Sequence, residues 1–183
     1  MPNIDSTTIE PMLSVCDTYR DFCFPMIGLH PTSVNESYEK ELEIVAANLE
    51  TSGRFVAVGE IGIDLYWDKT WLKEQLIAFE KQVQWALHYQ LPIVIHCREA
   101  FDYIYKVLQP YKETGLTGIF HSFTGTSEEA AKLLDFPGFM IGINGVVTFK
   151  KSQLPEVLKD VPLARIVLET DSPYLTPVPN RGK

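Results

Sequence analysis

The sequence predicts an α/β fold on a parallel sheet, doubly wound or closed into a barrel. Two observations carry this: short β-rich apolar runs alternate regularly with longer segments of helical period, and several of the runs are apolar on successive residues, as in Val56-Ala57-Val58, Ile93-Val94-Ile95 and Ile166-Val167-Leu168. A strand that is apolar on both faces is buried on both faces, which is the situation of a parallel strand covered by helices. The alternation of the two element types then selects the fold class.

In chain order, a helix is predicted over residues 7–19 and a strand over 23–29, which ends in Met26-Ile27-Gly28-Leu29. A helix over 38–49 leads to a strand over 55–59. The next helix, 71–90, carries Leu72, Leu76, Phe79, Val83 and Leu87 at three- and four-residue steps, so one apolar stripe faces a core. A strand over 93–95, a helix over 100–108 and a strand over 117–120 follow. The helix over 127–134 opens with Thr126-Ser127-Glu128-Glu129, a hydroxyl and early carboxylates where a helix N-terminus is stabilised. A strand over 139–143, a helix over 154–159 and a strand over 165–168 complete the series. From Ser172 onward Pro173, Pro177, Pro179 and Gly182 break any period, and the chain reads as a loop.

The 183 residues suit one domain or part of a larger one, and a composition of 45% hydrophobic and 22% charged residues is that of a globular protein rather than a disordered one. No apolar run approaches the roughly 18 residues of a membrane span, and the start lacks the basic and apolar regions of a secretory signal. Cys16, Cys23 and Cys97 have no CxxC spacing, which fits reduced thiols in a cytoplasm and excludes a zinc knuckle. A net charge of −8 disfavours proteins that coat nucleic acid with basic residues. It leaves room for a metal enzyme that grips a few phosphates, since divalent ions are often the largest local charges in a site.

Chemistry in parallel α/β folds collects at the C-terminal ends of strands. Here His30, Glu60, His96 and His121 each follow an apolar run, and Glu169 and Asp171 follow another, so three of the four histidines fall on one edge with carboxylates. Imidazoles and carboxylates converging from separate strands suit Mg²⁺, Mn²⁺ or Zn²⁺, and point to a shared metal or acid/base site. His88 lies near the end of the long helix, where it reads as a surface group or a partner of the helix dipole. Ser122 is not in a GxSxG elbow, and Gly59-Glu60-Ile61-Gly62 is not a GxGxxG loop, so a serine hydrolase and a dinucleotide-binding protein are both poorly supported.

These residues stand inside five strings: Gly28-Leu29-His30-Pro31, Gly59-Glu60-Ile61-Gly62-Ile63-Asp64, Ile95-His96-Cys97-Arg98-Glu99-Ala100, His121-Ser122-Phe123-Thr124-Gly125 and Glu169-Thr170-Asp171-Ser172-Pro173. In order and spacing they closely resemble the TatD-related metal-dependent deoxyribonucleases of the amidohydrolase-like superfamily. The resemblance implies a TIM-like barrel with a site for two divalent ions, cleaving phosphodiester bonds of DNA. It implies Glu60 as the metal-bridging carboxylate, His96 and His121 as ligands of one ion, and Asp171 as the ligand that also handles the proton of the attacking water. Glu60 and Asp171 are therefore the expected catalytic residues, and His30 and Arg98 are similar to residues that meet the substrate phosphate.

The sequence departs from that pattern in one respect: the family opens with a strand carrying a His-x-His pair, and no His precedes His30. Six predicted strands also fall two short of a closed barrel, and 183 residues fall short of the roughly 250 typical of it. The expectation is an incomplete barrel, truncated at both ends. Two other functions fit the same ligands: an amidohydrolase-like enzyme acting on a small ester, lactone or amide, and an inactive fragment that lacks half of the metal site. The leading expectation is a cytoplasmic nuclease with DNA as its partner and no membrane association.

Overall fold

In the computed structural model, which describes residues 1–182, the chain divides at Thr117 into two compact units. The first contains α1 (Ile9–Thr18), α2 (Tyr38–Ser52), β1 (Val58–Asp64), α3 (Leu72–Tyr89), β2 (Ile93–Arg98) and α4 (Phe101–Leu108). The second contains β3 (Gly118–Phe120), α5 (Ser127–Leu134), β4 (Phe139–Ile143), α6 (Leu154–Val157) and β5 (Ile166–Leu168). The helices match their sequence expectations within a few residues, and α6 is the shortest because its last turn tightens into a 3₁₀ turn at Leu158–Asp160.

Within the first unit β1 and β2 pair in parallel, with Gly62 opposite His96 and Asp64 opposite Arg98. Gly62 has no alternative there. Its φ is +145°, and a Cβ would stand 1.9 Å from the carbonyl oxygen of His96. Helix α3 covers the sheet through Ala78, Phe79, Val83 and Ala86. The buried stripe also includes Gln75 and Gln82, 3% and 1% exposed, so the face predicted as purely apolar carries two amides.

Those amides explain a correction. The run 23–29 is not a regular strand. Only single parallel bridges form, Pro2 with Met26 and Ile27 with Val58. Further along, side chains replace the ladder. Asn3 accepts from the Gly28 N–H (2.9 Å) and donates to its carbonyl (2.8 Å), while Gln82 accepts from the Leu29 N–H (2.7 Å) and donates to its carbonyl (3.3 Å). A buried peptide group must find partners, and amide side chains satisfy it as well as a neighbouring strand does. Five strands are therefore present among the described residues, and β1 begins three residues later than predicted because Phe55–Ala57 runs beside this irregular segment.

In the second unit β3, β4 and β5 pair in parallel, with Ile119 opposite Met140 and Ile143 opposite Leu168. The core is aromatic: Phe139 packs against Phe120 and Phe136 with ring centroids 5.7 and 5.3 Å apart. Arg165 ties β5 to that core by donating to the carbonyls of Phe139 (2.7 Å) and Phe136 (2.6 Å). The predicted start of α5 is a full capping box, in which Thr126 Oγ1 accepts from the Glu129 N–H and the Glu129 carboxylate accepts from the Thr126 N–H. Beyond Asp171 no helix or strand forms among the described residues, in keeping with the prolines there. No helix is long and apolar enough to cross a membrane among the described residues.

Candidate metal site: two histidine and carboxylate groups

The first unit assembles one group from three segments. His30 begins the 3₁₀ turn Pro31–Ser33, where its Nδ1 accepts from the Thr32 N–H at 3.2 Å and lies 2.7 Å from Thr32 Oγ1. Its position is inherited from the amide clamps on Gly28 and Leu29 and from its own N–H, which donates to the Ile4 carbonyl at 2.9 Å. Glu60 comes from β1 and His96 from β2. One ligand atom from each of His30, Glu60 and His96 lies within 4.8 Å of the others, and the two imidazoles meet edge to face at 4.6 Å.

Asp64 completes the arrangement. In the register of the sheet, Glu60 and Asp64 lie on either side of the residue opposite His96, and both contact its ring: Nδ1 is 3.4 Å from Glu60 Oε1 and Nε2 is 2.8 Å from Asp64 Oδ2. A carboxylate only accepts, so the Asp64 bond holds the ring proton on Nε2 and turns Nδ1 toward Glu60. Burial pushes the Asp64 carboxyl up, but the bonds from His96 and from the Tyr66 and Trp67 N–H groups outweigh it and hold the group below the usual carboxylate range. Burial likewise pushes His96 down, and its bonds to Asp64 and Glu60 reverse that, leaving the imidazole above its ordinary value. Arg98, expected to meet phosphate, lies exposed at the end of β2 with its guanidinium 3.7 Å from the centroid of the Tyr66 ring.

The second unit repeats the design. His121 stands between two carboxylates, with Nδ1 2.9 Å from Glu169 Oε2 and Nε2 2.7 Å from Asp171 Oδ1. Glu169 also accepts from the Ser122 N–H, as Asp64 accepts from Tyr66 and Trp67. Gly142 makes room for it, since a Cβ there would stand 2.5 Å from Glu169 Oε2. Asn144 donates to Ser122 Oγ (2.7 Å) and to Asp171 Oδ2 (3.3 Å). Ser122 holds a left-handed φ of 49°, the kind of local strain that concentrates at functional sites.

Of the residues singled out in the sequence, Glu60, His96 and His30 converge in one group, and His121 and Asp171 in the other. The structure adds Asp64 and Asn144 and gives a partner to Glu169, which the sequence places at the same strand end as Asp171 without a role of its own. The signal for the two carboxylates was present: each shares a strand-end string with a named ligand, four residues from Glu60 and two from Asp171. Asn144 follows the one predicted strand that ends without an ionisable group, so a search for charges passes over it.

The TatD related DNase family matches residues 1–183. The "Uncharacterized metal-dependent hydrolase YabD" of Bacillus subtilis is 36% identical over 180 residues, which cover 98% of this chain and 69% of that protein. The "3'-5' ssDNA/RNA exonuclease TatD" of Pantoea ananatis is 33% identical over 165 residues, covering 89% of this chain and 63% of that one. Among solved structures, the TatD homologue YJJV of Escherichia coli superposes with a TM-score of 0.90 at 28% identity, over 100% of this chain and 70% of that one.

Proposed function

The chain belongs to the TatD-related DNase family of metal-dependent hydrolases, with a TIM-barrel-like fold, and from that premise we propose that it cleaves phosphodiester bonds of DNA with water activated by divalent metal. The observation that carries the reading is the His30, Glu60 and His96 group with Asp64 behind it. The donor set fits a divalent ion: carboxylate and imidazole are the ligands that Mg²⁺, Mn²⁺ and Zn²⁺ accept, and the His96 imidazole is oriented by a further carboxylate, Asp64, as metal-binding histidines usually are. A bound ion would supply Lewis acidity at the scissile phosphoryl group and a strong nucleophile at neutral pH.

Glu60, His96, His121 and Asp171 would hold the metal. Asp64 and Glu169 each accept from one ring nitrogen, which turns the opposite nitrogen toward Glu60 in the first unit and toward Asp171 in the second. In this reading Asp171, with one oxygen toward His121 and the other toward Asn144, receives the proton of the attacking water. His30 meets a phosphate oxygen. The N–H of Thr32 makes Nδ1 an acceptor, so in the neutral ring Nε2 carries the proton and donates. Arg98 provides positive charge near a site whose own residues are mostly anionic, on a chain of net charge −8. Cys16, Cys23 and Cys97, none of them in a disulfide, support a reducing, cytoplasmic setting.

The test is cleavage of single-stranded DNA with and without chelator, beside direct metal titration. Metal-dependent cleavage, lost in Glu60→Gln and Asp171→Asn, is expected. Undiminished cleavage in metal-free buffer would refute the reading.

A further inference from the structure

Two aromatic side chains near the first group stand largely in solvent. Tyr66 and Trp67 stand one residue beyond β1, after Leu65, and are 50% and 72% exposed, with their rings perpendicular and 4.8 Å apart. A bare indole beside a ligand cluster is costly in water, and exposed aromatic surface of this kind usually meets a partner. Arg98 lies against the pair from β2, over the Tyr66 face at 3.7 Å and 5.5 Å from the Trp67 ring centroid. Stacked in this way, a guanidinium keeps the N–H groups around its edge available.

The aromatic loop is tied to the metal group by a single carboxylate. Asp64 Oδ2 binds His96, while Oδ1 accepts from the backbone N–H groups of Tyr66 (2.9 Å) and Trp67 (3.4 Å). The position of the rings and the orientation of the imidazole therefore share one anchor, and a group resting on the rings is delivered in a fixed relation to His96.

On the nuclease reading above, we infer that Trp67 and Tyr66 form a stacking platform for an unpaired nucleobase of the substrate strand, with Arg98 taking the adjoining phosphate. A flat, polarisable face accepts any base, and a cation beside it accepts the backbone, which is the combination that recognises single strands without reading sequence. A duplex keeps its base faces stacked internally and has none to offer. The platform thus selects an unpaired strand over a paired one and feeds it toward Glu60 and His96.

The test measures binding in chelator, so that nothing is cleaved, by fluorescence anisotropy of a labelled oligodeoxythymidylate on the full chain. Trp67→Ala is expected to weaken binding about tenfold to hundredfold, the effect of losing one stacked base, while Trp67→Phe keeps most of the affinity. An oligonucleotide of the same length with abasic sites should bind the wild type as weakly as the normal strand binds Trp67→Ala, and a duplex should bind weakly to both. In turnover with metal, the loss should appear chiefly in KM. Equal affinity of wild type and Trp67→Ala, with unchanged thermal midpoints, would overturn the platform, as would equal binding of normal and abasic strands. A change of oligomeric state in Trp67→Ala without a change in strand affinity would also overturn it and assign the face to self-association. Each of these results leaves metal-dependent cleavage, measured separately, to decide the nuclease reading.

Discussion

The two oxygens of the Asp64 carboxylate face different neighbours, and the consequence is a dependence on pH that can be signed. His96 is raised by its carboxylate partners, so its contribution to stability is fully present below its ordinary value of about 6.5 and is lost as pH rises through the raised value. Asp64 is lowered, so its contribution is present above the ordinary carboxylate value of about 3.9 and is lost as pH falls through the lowered one. The pair therefore stabilises the metal-free protein fully between those limits. Thermal midpoints in chelator should fall as pH rises above neutrality, and in Asp64→Asn that fall should be smaller. The same substitution should weaken metal binding about 10- to 100-fold, read by titration, because the imidazole loses its orienting partner. Glu60→Gln and Asp171→Asn should each reduce turnover about 100-fold or more with thermal midpoints little changed, since the amide preserves shape and removes charge. Much of this was legible in the sequence. His30, His96, His121, Glu60 and Asp171 stand out because ionisable groups after apolar runs are conspicuous. Asp64 does not, and Glu169, though it follows the same apolar run as Asp171, carries no role there, because a carboxylate that orients a ligand is indistinguishable by type from one that binds the ion.

Helix α3 shows why an apolar stripe is an incomplete description of a buried face. Its period announced a helix packed on a sheet, which it is, but the residues most deeply buried include Gln75 and Gln82. Gln75 accepts from the Asp64 N–H at 2.9 Å and donates to the Asp64 carbonyl at 3.2 Å, just as Gln82 brackets Leu29. Spaced seven residues apart, they fix the backbone at two of the segments that present site residues. Gln82→Leu, close in volume, should cost about 1–3 kcal/mol in denaturant unfolding, because the Leu29 N–H and carbonyl remain buried without partners. Gly142→Ala should act locally on Glu169, weakening metal binding more than it lowers the thermal midpoint. The predicted strand at residues 23–29 failed for the same reason that Gln82 matters: apolar content signals burial, and burial is satisfied either by a ladder or by amides arriving from residues 3 and 82. Nothing local to 23–29 distinguishes the two. The helix at 127–134, by contrast, was fixed to the residue, because its capping box is encoded within four consecutive positions.

At the scale of the whole molecule, the parallel α/β class followed from the apolar strand runs and their alternation with helical segments, whereas the division at Thr117 did not, since no change of composition marks it. Surface exposure gives a further expectation. Leu168 on β5, Leu163 before it and Phe22 in the first unit are 87%, 85% and 83% exposed. The 183-residue chain should therefore bind an apolar fluorescent dye in its native state, and Leu168→Lys should reduce that signal. The assignment of each ligand group to its own unit has a consequence in time as well as in space. His30, Glu60, Asp64 and His96 are all translated before residue 118, and so are the amides of Asn3, Gln75 and Gln82 that hold their segments. Domains emerge and fold in the order in which the ribosome makes them. The first group of donors is thus complete on the nascent chain while His121, Glu169 and Asp171 are still untranslated, and ion capture by that first group can begin during synthesis.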